Sequence, residues 1–228
     1  MKFTYDEIAK MIDHSLLSPT MTDEEMAAGC RIATQYNVAG VCIKPYAVAL
    51  AADVLKGSQV RVGVTIGFPH GSSATAVKVA EADRACAEGA EELDMVVNVG
   101  KVLSSDWPYV GREIKEVVNC GHAHKALVKV IFENCHLRDE HKIRLCEICG
   151  QAGADFVKTS TGFGEGGATI EDVKLMRKHS PPKVLIKAAG GIRTFEKLLE
   201  FKAAGASRIG ASATAAILDE CKRQLGIT

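Results

Sequence analysis

The stretch Gly153-Ala-Asp-Phe-Val-Lys-Thr-Ser-Thr-Gly162 contains the unit from which the fold of this sequence is predicted. A glycine that ends a helix tightly precedes a short apolar run, and a loop rich in hydroxyl groups and glycine follows that run. The same opening recurs at Gly89-Ala-Glu91 and at Gly205-Ala-Ser207, each time between a helical pattern and an apolar run. The repetition indicates a chain that is assembled from similar helix–strand units.

Eight short apolar runs alternate along the chain with longer helical patterns. We predict strands over 14–17, 38–43, 60–66, 93–97, 126–132, 156–158, 184–187 and 208–210. Strand starts that are roughly 20–35 residues apart suit βαβ units, and continuous apolar runs are typical of parallel strands buried on both faces. Eight units of this α/β kind close most simply into a (β/α)8 TIM barrel, with 1–228 forming a single catalytic domain. A doubly wound open sheet is the alternative, but no GxGxxG follows the first strand.

Helix starts are marked by capping residues. Thr22 and Glu25 have the spacing of a capping box, in which each residue's side chain bonds the other's backbone N–H. Thr4 and Glu7 repeat this spacing ahead of the first strand. We therefore expect an extra N-terminal helix that covers one end of the barrel.

Composition and charge argue against several classes of function. The chain is 47% hydrophobic and 25% charged, and its 28 basic and 28 acidic side chains cancel without forming blocks. This balance predicts no nucleic-acid partner and no membrane-surface partner. The polar N-terminus does not resemble a signal peptide, and no apolar run is long enough to span a bilayer. Eight cysteines, often inside apolar runs, favour a reducing compartment, so a cytoplasmic protein is expected.

The pair Cys146 and Cys149 forms a CxxC motif, which is a candidate redox pair or half of a zinc site. A zinc site needs a second pair of ligands, and the sequence offers no second CxxC and no HxxxH. The segment 139–152 has the pattern of an amphipathic helix, so packing of that helix is the favoured interpretation of the two thiols. His122 and His124 are interpreted as part of a solvated turn rather than as metal ligands.

Polar residues at the ends of the apolar runs are the candidates for chemistry, because active sites of such barrels lie at the carboxyl ends of the strands. Lys44, Asp94, Lys158 and Lys187 end or lie near the end of such runs, and Lys129 lies in the middle of one. A lone lysine at such a place would usually extend its head to water. Lys158 and Lys187, however, follow consecutive strands, so their ammonium groups are expected to approach each other.

Two neighbouring cations disfavour each other's charge, which yields a neutral and nucleophilic amine near pH 7. Lys158 is the better candidate nucleophile, because the loop after it, which includes Thr161 and Gly162, lets a substrate approach the backbone. Lys44 is followed at once by Pro45 and a helix, so the chain leaves less room for a substrate beside this lysine. The sequence thus predicts a Schiff base between Lys158 and a small carbonyl substrate.

The carboxylates have expected roles as well. Asp94 is suited to move protons to and from the intermediates, directly or through water, and it can also form a buried ion pair with a lysine. Asp13, near the first strand, is a weaker member of the same group and a candidate substrate contact.

The last two strand-end loops predict an anion site. They read Gly190-Gly191-Ile-Arg193 and Gly210-Ala-Ser212, and each runs into a helix. Backbone N–H groups at a helix N-terminus bind anions, and phosphate sites of these barrels often follow strands 7 and 8. Arg193 adds charge there or pairs with an acid of the following helix.

Taken together, these residues resemble the 2-deoxyribose-5-phosphate aldolase family over nearly the whole chain. The Phe-Val-Lys158-Thr-Ser-Thr-Gly run is highly specific, whereas the glycine motifs are shared by many phosphate-binding barrels. The matching motifs are Ile-Asp13-His-Ser-Leu-Leu, Gly-Phe-Pro-His-Gly71, Glu-Leu-Asp94-Met-Val, Asp-Phe-Val-Lys158-Thr-Ser-Thr-Gly and Ile-Lys187-Ala-Ala-Gly-Gly-Ile-Arg193-Thr.

The resemblance implies a class I aldolase, without metal or cofactor, that interconverts 2-deoxy-D-ribose 5-phosphate with acetaldehyde and D-glyceraldehyde 3-phosphate. It implies that Lys158 forms the Schiff base, that Lys187 lowers the pKa of Lys158, and that Asp94 works with Lys187 in proton transfer. It also implies a homo-oligomer, with a dimer as the expected form. The phosphate-holding positions of the family correspond to Gly190, Gly191, Gly210 and Ser212.

The chain departs from some family members at two places. Phe163 stands where some have a lysine, and the chain ends Leu225-Gly-Ile-Thr228 where some end in a tyrosine that reaches the active site. Two other functions are also considered: another Schiff-base sugar-phosphate aldolase, such as a transaldolase-like barrel, and a non-catalytic sugar-phosphate-binding or thiol-regulated barrel.

Overall fold

A computed structural model describes residues 3–227 as a closed barrel of eight parallel strands. Each strand pairs with the next along the chain, and the last pairs with the first through Asp13 and Gly210. The predicted (β/α)8 TIM barrel is confirmed. Met1, Lys2 and the terminal Thr228 lie outside the described residues. The strands are β1 (Ile12–Leu16), β2 (Gly40–Ile43), β3 (Arg61–Ile66), β4 (Glu92–Val96), β5 (Leu127–Ile131), β6 (Phe156–Lys158), β7 (Leu185–Ala189) and β8 (Arg208–Ala211).

Ten α-helices precede, separate and follow these strands within residues 3–227. None combines the length and the apolar composition that crossing a bilayer requires. They are α1 (Tyr5–Ala9), α2 (Asp23–Gln35), α3 (Val48–Val54), α4 (Thr75–Ala87), α5 (Val99–Leu103), α6 (Trp107–Ala123), α7 (Asp139–Ala152), α8 (Ile170–His179), α9 (Phe195–Ala204) and α10 (Thr214–Leu225).

Helix ends follow the local chemistry expected from the sequence. Thr4 and Thr22 form capping boxes at the starts of α1 and α2. Gly153 and Gly205 end α7 and α9 with φ of +84° and +110°, a left-handed conformation that a side chain disfavours. The extra helix α1 precedes β1 and contacts α10, so it lies at the N-terminal end of the barrel, with Ile8 buried in the core.

Three candidate site residues lie inside strands: Asp94 within its predicted strand, but Asp13 and Lys187 against predicted bounds that began at 14 and ended at 187. Strand β1 begins at Ile12 and β7 continues to Ala189, so Asp13 and Lys187 lie within them, and Asp94 is the third residue of β4. A charged residue interrupts an apolar run in the sequence without ending the strand when its side chain points into the barrel and finds partners there. The carboxyl end of a strand therefore cannot be located from its first charged residue alone.

Register brings the charged residues of neighbouring strands side by side. Asp94 pairs in register with Lys129, Lys158 with Lys187, and Lys187 with Arg208. The apolar core lies between the strands and the helices, where side chains such as Leu93, Val128 and Ile186 are fully buried. The interior of the barrel itself is thus left to charged groups.

Candidate active site

Seven ionisable side chains form a buried charged cluster inside the barrel. The cluster consists of Asp13, Glu92, Asp94, Lys129, Lys158, Lys187 and Arg208, each less than 9% exposed. Three carboxylates face four cations, so the cluster carries one excess positive charge when every group is ionised. An uncompensated charge in a barrel interior is strongly disfavoured, and loss of a proton from one lysine removes it.

Asp94 stands at the centre of the cluster. Its Oδ2 accepts hydrogen bonds from Lys158 Nζ and Lys187 Nζ, each at 2.7 Å, and its Oδ1 accepts one from Lys129 Nζ at 2.8 Å. Although burial favours the neutral acid, these three cations hold the pKa of Asp94 well below its usual range. Asp94 is therefore a carboxylate whose charge draws two lysine nitrogens to the same oxygen.

Lys187 has two carboxylate partners. Its Nζ lies 2.5 Å from Asp13 Oδ2 and 2.7 Å from Asp94 Oδ2. Burial alone would lower the pKa of Lys187, but the charges of Asp13 and Asp94 outweigh it and raise the pKa above the ordinary lysine value. Lys187 is thus a permanent cation near neutral pH.

Lys129 is held as a cation in the same way. Its Nζ lies within 3.1 Å of Asp13 Oδ2, 2.5 Å of Glu92 Oε2 and 2.8 Å of Asp94 Oδ1. These charges outweigh burial and raise the pKa of Lys129 well above the ordinary value. Arg208 donates to Asp13 Oδ1 and to Glu92, and the same two carboxylates raise its pKa.

Lys158 differs from the other cations because Asp94 is its carboxylate partner and the cationic Lys187 is its neighbour. Burial, followed by repulsion from Lys187, lowers the pKa of Lys158 below the ordinary lysine value in spite of Asp94. The excess positive charge of the cluster is therefore removed most easily at Lys158. The arrangement thus favours loss of a proton from Lys158 beside an ammonium group that stays charged, which suits imine chemistry.

A cavity of about 320 Å³ opens at the carboxyl ends of the strands. Of the seven cluster residues, all within the described part of the chain, Lys158 is the one that lines it. Its other walls contain the predicted Thr161, Gly162, Gly190, Gly191, Gly210 and Ser212, and also Ser15, Leu17, Ser18, Met21, Phe163, Ala189, Ile192, Arg193 and Ala211. A carbonyl compound in this cavity would meet the Lys158 amine.

Asp13 is placed differently from the substrate contact that the sequence predicted. It is fully buried beneath the cavity, and its two oxygens accept hydrogen bonds from Lys187 and Arg208. It does not line the cavity. The geometry suits a residue that positions Lys187 and compensates its charge, and the expected direct contact with substrate stays a prediction.

The far wall of the cavity has the features of an anion site. Gly191 adopts a φ of +83° in the loop that leads into α9, and Thr194 caps that helix through the Lys197 N–H. Helix α10, in contrast, begins beside Ser212 without any side-chain cap, so its first N–H groups are left for a bound anion. The loops after β7 and β8 thus meet at one edge of the cavity.

The loop after β6 is held by Glu133. This residue, at a φ of +57°, accepts hydrogen bonds from both the hydroxyl and the backbone N–H of Thr161. The Phe163 N–H in turn donates to Thr161 Oγ1 at 3.0 Å, and the Phe163 ring packs edge to face on Phe68. The Thr161 hydroxyl is already hydrogen-bonded to Glu133 and Phe163, so we expect it to shape the loop. Gly162, which has no side chain, would let a substrate approach the loop backbone.

The CxxC thiols are isolated from this chemistry. Cys146 and Cys149 are buried in α7, and burial raises the pKa of Cys146 to about 11 and that of Cys149 well above its ordinary value. A thiol with a raised pKa is a poor nucleophile and a poor redox partner at neutral pH. Their surroundings agree with the favoured interpretation, packing of the helix.

Comparisons with known proteins agree with this geometry. The sequence profile of the DeoC/LacD family aldolase matches residues 7–220. The chain belongs to this aldolase family. It is 54% identical to the deoxyribose-phosphate aldolase of Rhodopirellula baltica over 99% of the chain and 93% of that relative. It is 52% identical to the deoxyribose-phosphate aldolase of Thermococcus gammatolerans over 93% of the chain and 96% of that relative.

The fold is also similar to that of an aldolase of known structure. The deoxyribose phosphate aldolase from Aeropyrum pernix, described as a tetramer, superposes with a TM-score of 0.90 at 32% identity. The match covers 97% of the chain and 93% of that structure. The family resemblance predicted from the motifs is confirmed.

Glu92 and Arg208 are members of the aldolase cluster that the sequence analysis missed. Glu92 precedes Asp94 by two residues, and this spacing places both side chains on the same face of a strand. That alternation was the available signal. Arg208 was counted only as the first residue of β8, because its partners come from strands far away in the sequence.

The matched pair Arg208 and Arg61 tests the energetic role of burial in this aldolase. Both contact Glu92, but the Arg208 side chain is 10% exposed and the Arg61 side chain 49%. We expect Arg208→Met to lower the free energy of unfolding by about 3–5 kcal/mol, because it removes the buried guanidinium that Asp13 and Glu92 share as a hydrogen-bonded partner. Arg61→Met is expected to cost about 0–1 kcal/mol. Urea unfolding of both variants measures the difference, and equal losses would contradict it.

Proposed function

We propose that this aldolase reversibly cleaves 2-deoxy-D-ribose 5-phosphate to acetaldehyde and D-glyceraldehyde 3-phosphate through a Schiff base on Lys158. The observation that carries the proposal is that Lys158 alone among the cluster residues lines the cavity and has a lowered pKa. The deoxyribose-phosphate aldolases at 54% and 52% identity support the choice of substrate.

The chemistry follows from a neutral Lys158 amine. It attacks the aldehyde carbon C1 of the open-chain sugar, and the resulting carbinolamine loses water to form an imine. A base then takes the proton of the C3 hydroxyl, the C2–C3 bond breaks, and its electron pair moves into the imine to give an enamine. Glyceraldehyde 3-phosphate leaves, C2 of the enamine is protonated, and water releases acetaldehyde and restores the amine.

Asp94 and Lys187 act in this scheme through Lys158. Because Lys158 and Lys187 both donate to Asp94 Oδ2, this carboxylate links the two amines and is placed to relay protons to and from Lys158. Lys187 stays charged, which keeps Lys158 neutral and favours loss of its proton before attack. Lys129 and Asp13 hold this arrangement from below.

The phosphate group is proposed to bind at the uncapped start of α10, beside Ser212, Gly190 and Gly191. Ser212→Asp places a negative charge at this edge of the cavity. We expect kcat/KM for 2-deoxyribose 5-phosphate to fall roughly tenfold or more through KM, since repulsion replaces attraction to the helix end. Activity on unphosphorylated 2-deoxyribose serves as the internal control and should change little. An equal loss with both sugars would place the phosphate elsewhere.

The proposed reaction is tested by incubating the purified aldolase with 2-deoxyribose 5-phosphate and measuring both products. The expected result is equal amounts of acetaldehyde and glyceraldehyde 3-phosphate. Turnover of a ketose phosphate, with a three-carbon unit trapped on Lys158, would instead favour a transaldolase-like enzyme. Binding without turnover would favour a non-catalytic barrel.

The assembly and location of the aldolase are further parts of the proposal. We infer that 1–228 acts as one catalytic domain and that the enzyme forms a homo-oligomer, with a dimer as the expected state and the tetrameric Aeropyrum pernix relative as the alternative. Light scattering of the purified protein distinguishes them. A cytoplasmic location is supported by the eight cysteines, which are all free thiols and mostly buried.

A further inference from the structure

A group of metal-binding side chains lies on the helical layer, outside the charged cluster and the cavity. Helices α4 and α6 pack against each other. Asp83 of α4 lies beside Cys120 of α6 and His124, the residue that ends α6. One carboxylate oxygen, the thiol sulfur and one ring nitrogen of these residues lie within 4.8 Å of one another. Within residues 3–227 it is the one group of three His, Cys, Asp or Glu side chains that meets this separation.

The spacing along each helix adds to this convergence. Cys120 and His124 are four residues apart, so they share one face of α6, and Asp83 and Cys86 are three residues apart on α4. Cys86 is half-buried, and its spacing from Asp83 places it on the same side of α4. The Cys86 thiol is not one of the three mutually close atoms, so it would have to turn toward them to become a ligand.

These donor types fit one cation better than others. Sulfur, imidazole and carboxylate together are the ligands of Zn²⁺, whereas Ca²⁺ and Mg²⁺ prefer oxygen alone. A tetrahedral zinc ion with bonds of about 2.0–2.3 Å requires ligand atoms about 3.3–3.8 Å apart. All three atoms lie within 4.8 Å of one another, so modest side-chain rotations would bring them to these separations. The Asp83 side chain is 67% exposed and free to move, while its Oδ1 already lies 2.9 Å from His124 Nε2.

We propose that Asp83, Cys120 and His124 bind one Zn²⁺ ion, with Cys86 as the fourth ligand. Cys120 donates weakly to Val79 O at 3.8 Å, a contact that zinc would replace. Each thiol that binds zinc gives up its proton to solvent as its sulfur takes the metal. The proposal thus gives His124 a role beyond the solvated turn expected from the sequence, whereas His122 pairs with Asp155.

The bound ion would connect α4 to α6 on the outside of the barrel. Lys158 and the cavity lie at the carboxyl ends of the strands, and none of the four proposed ligands lines that cavity. We expect zinc to raise the thermal stability of the protein by mass action and to leave retro-aldol turnover unchanged. This separation makes the proposal independent of the proposed function.

The test uses the whole protein, reduced and treated with a chelator, and titrated with Co²⁺ as a spectroscopic probe. The expected result is one equivalent bound per chain, with thiolate-to-cobalt charge-transfer absorption that Zn²⁺ abolishes by displacement. Cys120→Ser and His124→Ala should each weaken binding roughly tenfold or more. His122→Ala is the matched control, because it removes an exposed histidine two residues away and should bind normally.

Three outcomes would overturn the proposal. They are the absence of a stoichiometric complex, cobalt spectra without a thiolate band, and unchanged affinity in both Cys120→Ser and His124→Ala. The last of these would identify adventitious metal bound elsewhere on the surface. Circular dichroism of each variant shows that it is folded, so weakened binding reports on the ligand set.

Discussion

Lys158→Met is expected to lower kcat for cleavage of 2-deoxyribose 5-phosphate by roughly 10⁴-fold or more, because no other amine of residues 3–227 lines the cavity to form the imine. The same substitution should leave the fold stable. Removing Lys158 leaves three cations facing three carboxylates, and Asp94 Oδ2 still accepts from Lys187. Steady-state kinetics and urea unfolding measure the two effects on one sample.

The matched control for this prediction is Lys44→Met. Lys44 was the alternative strand-end lysine, and its Nζ donates to the backbone oxygens of Ser18 and Met21 at the cavity rim. Lys44→Met should retain turnover within about tenfold of the unmodified enzyme, since the group forms no bond to the substrate carbonyl. Substantial activity in Lys158→Met together with loss in Lys44→Met would reassign the nucleophile.

Lys187→Met is expected to reduce kcat/KM at neutral pH by roughly 10²-fold or more, through the pKa of Lys158. With Lys187 present, the cluster is neutral when Lys158 is uncharged. Without Lys187, three carboxylates face three cations, so Lys158 must stay protonated to balance them, and its pKa rises. Because the free amine is the reactive form, the pH at which kcat/KM rises should move to more alkaline values.

Recovery at high pH separates this electrostatic role from simple misfolding. In Lys187→Met, activity should return as the pH passes the raised pKa of Lys158, which a misfolded enzyme would not show. Lys187→Arg keeps the positive charge and should keep the alkaline shift small. An unchanged pH profile in Lys187→Met would remove the proposed influence of Lys187 on Lys158.

The fold was predictable because its signals are local. The apolar runs, the helix-ending Gly153 and Gly205 and the capping residues each act over a few neighbours, and the eight predicted strands match the observed ones closely. The lysine pair was predictable too, since consecutive parallel strands place Lys158 and Lys187 next to each other.

The remaining parts of the site depend on contacts between distant segments. The place of Asp13 below the cavity depends on Lys187 and Arg208, which come from the distant strands β7 and β8. The group of Asp83, Cys120 and His124 went unnoticed because its members lie on two helices, and neither helix alone carries a recognisable zinc motif. Pairings of this kind depend on barrel closure and helix packing.

The central claim is that Lys158 forms an imine, and reduction of the enzyme with borohydride in the presence of acetaldehyde tests it most directly. Peptide mass mapping should find a two-carbon ethyl group on Lys158 and on no other lysine of the charged cluster. A folded enzyme that gains no adduct, or gains it on Lys187 or Lys129 instead, would contradict the account.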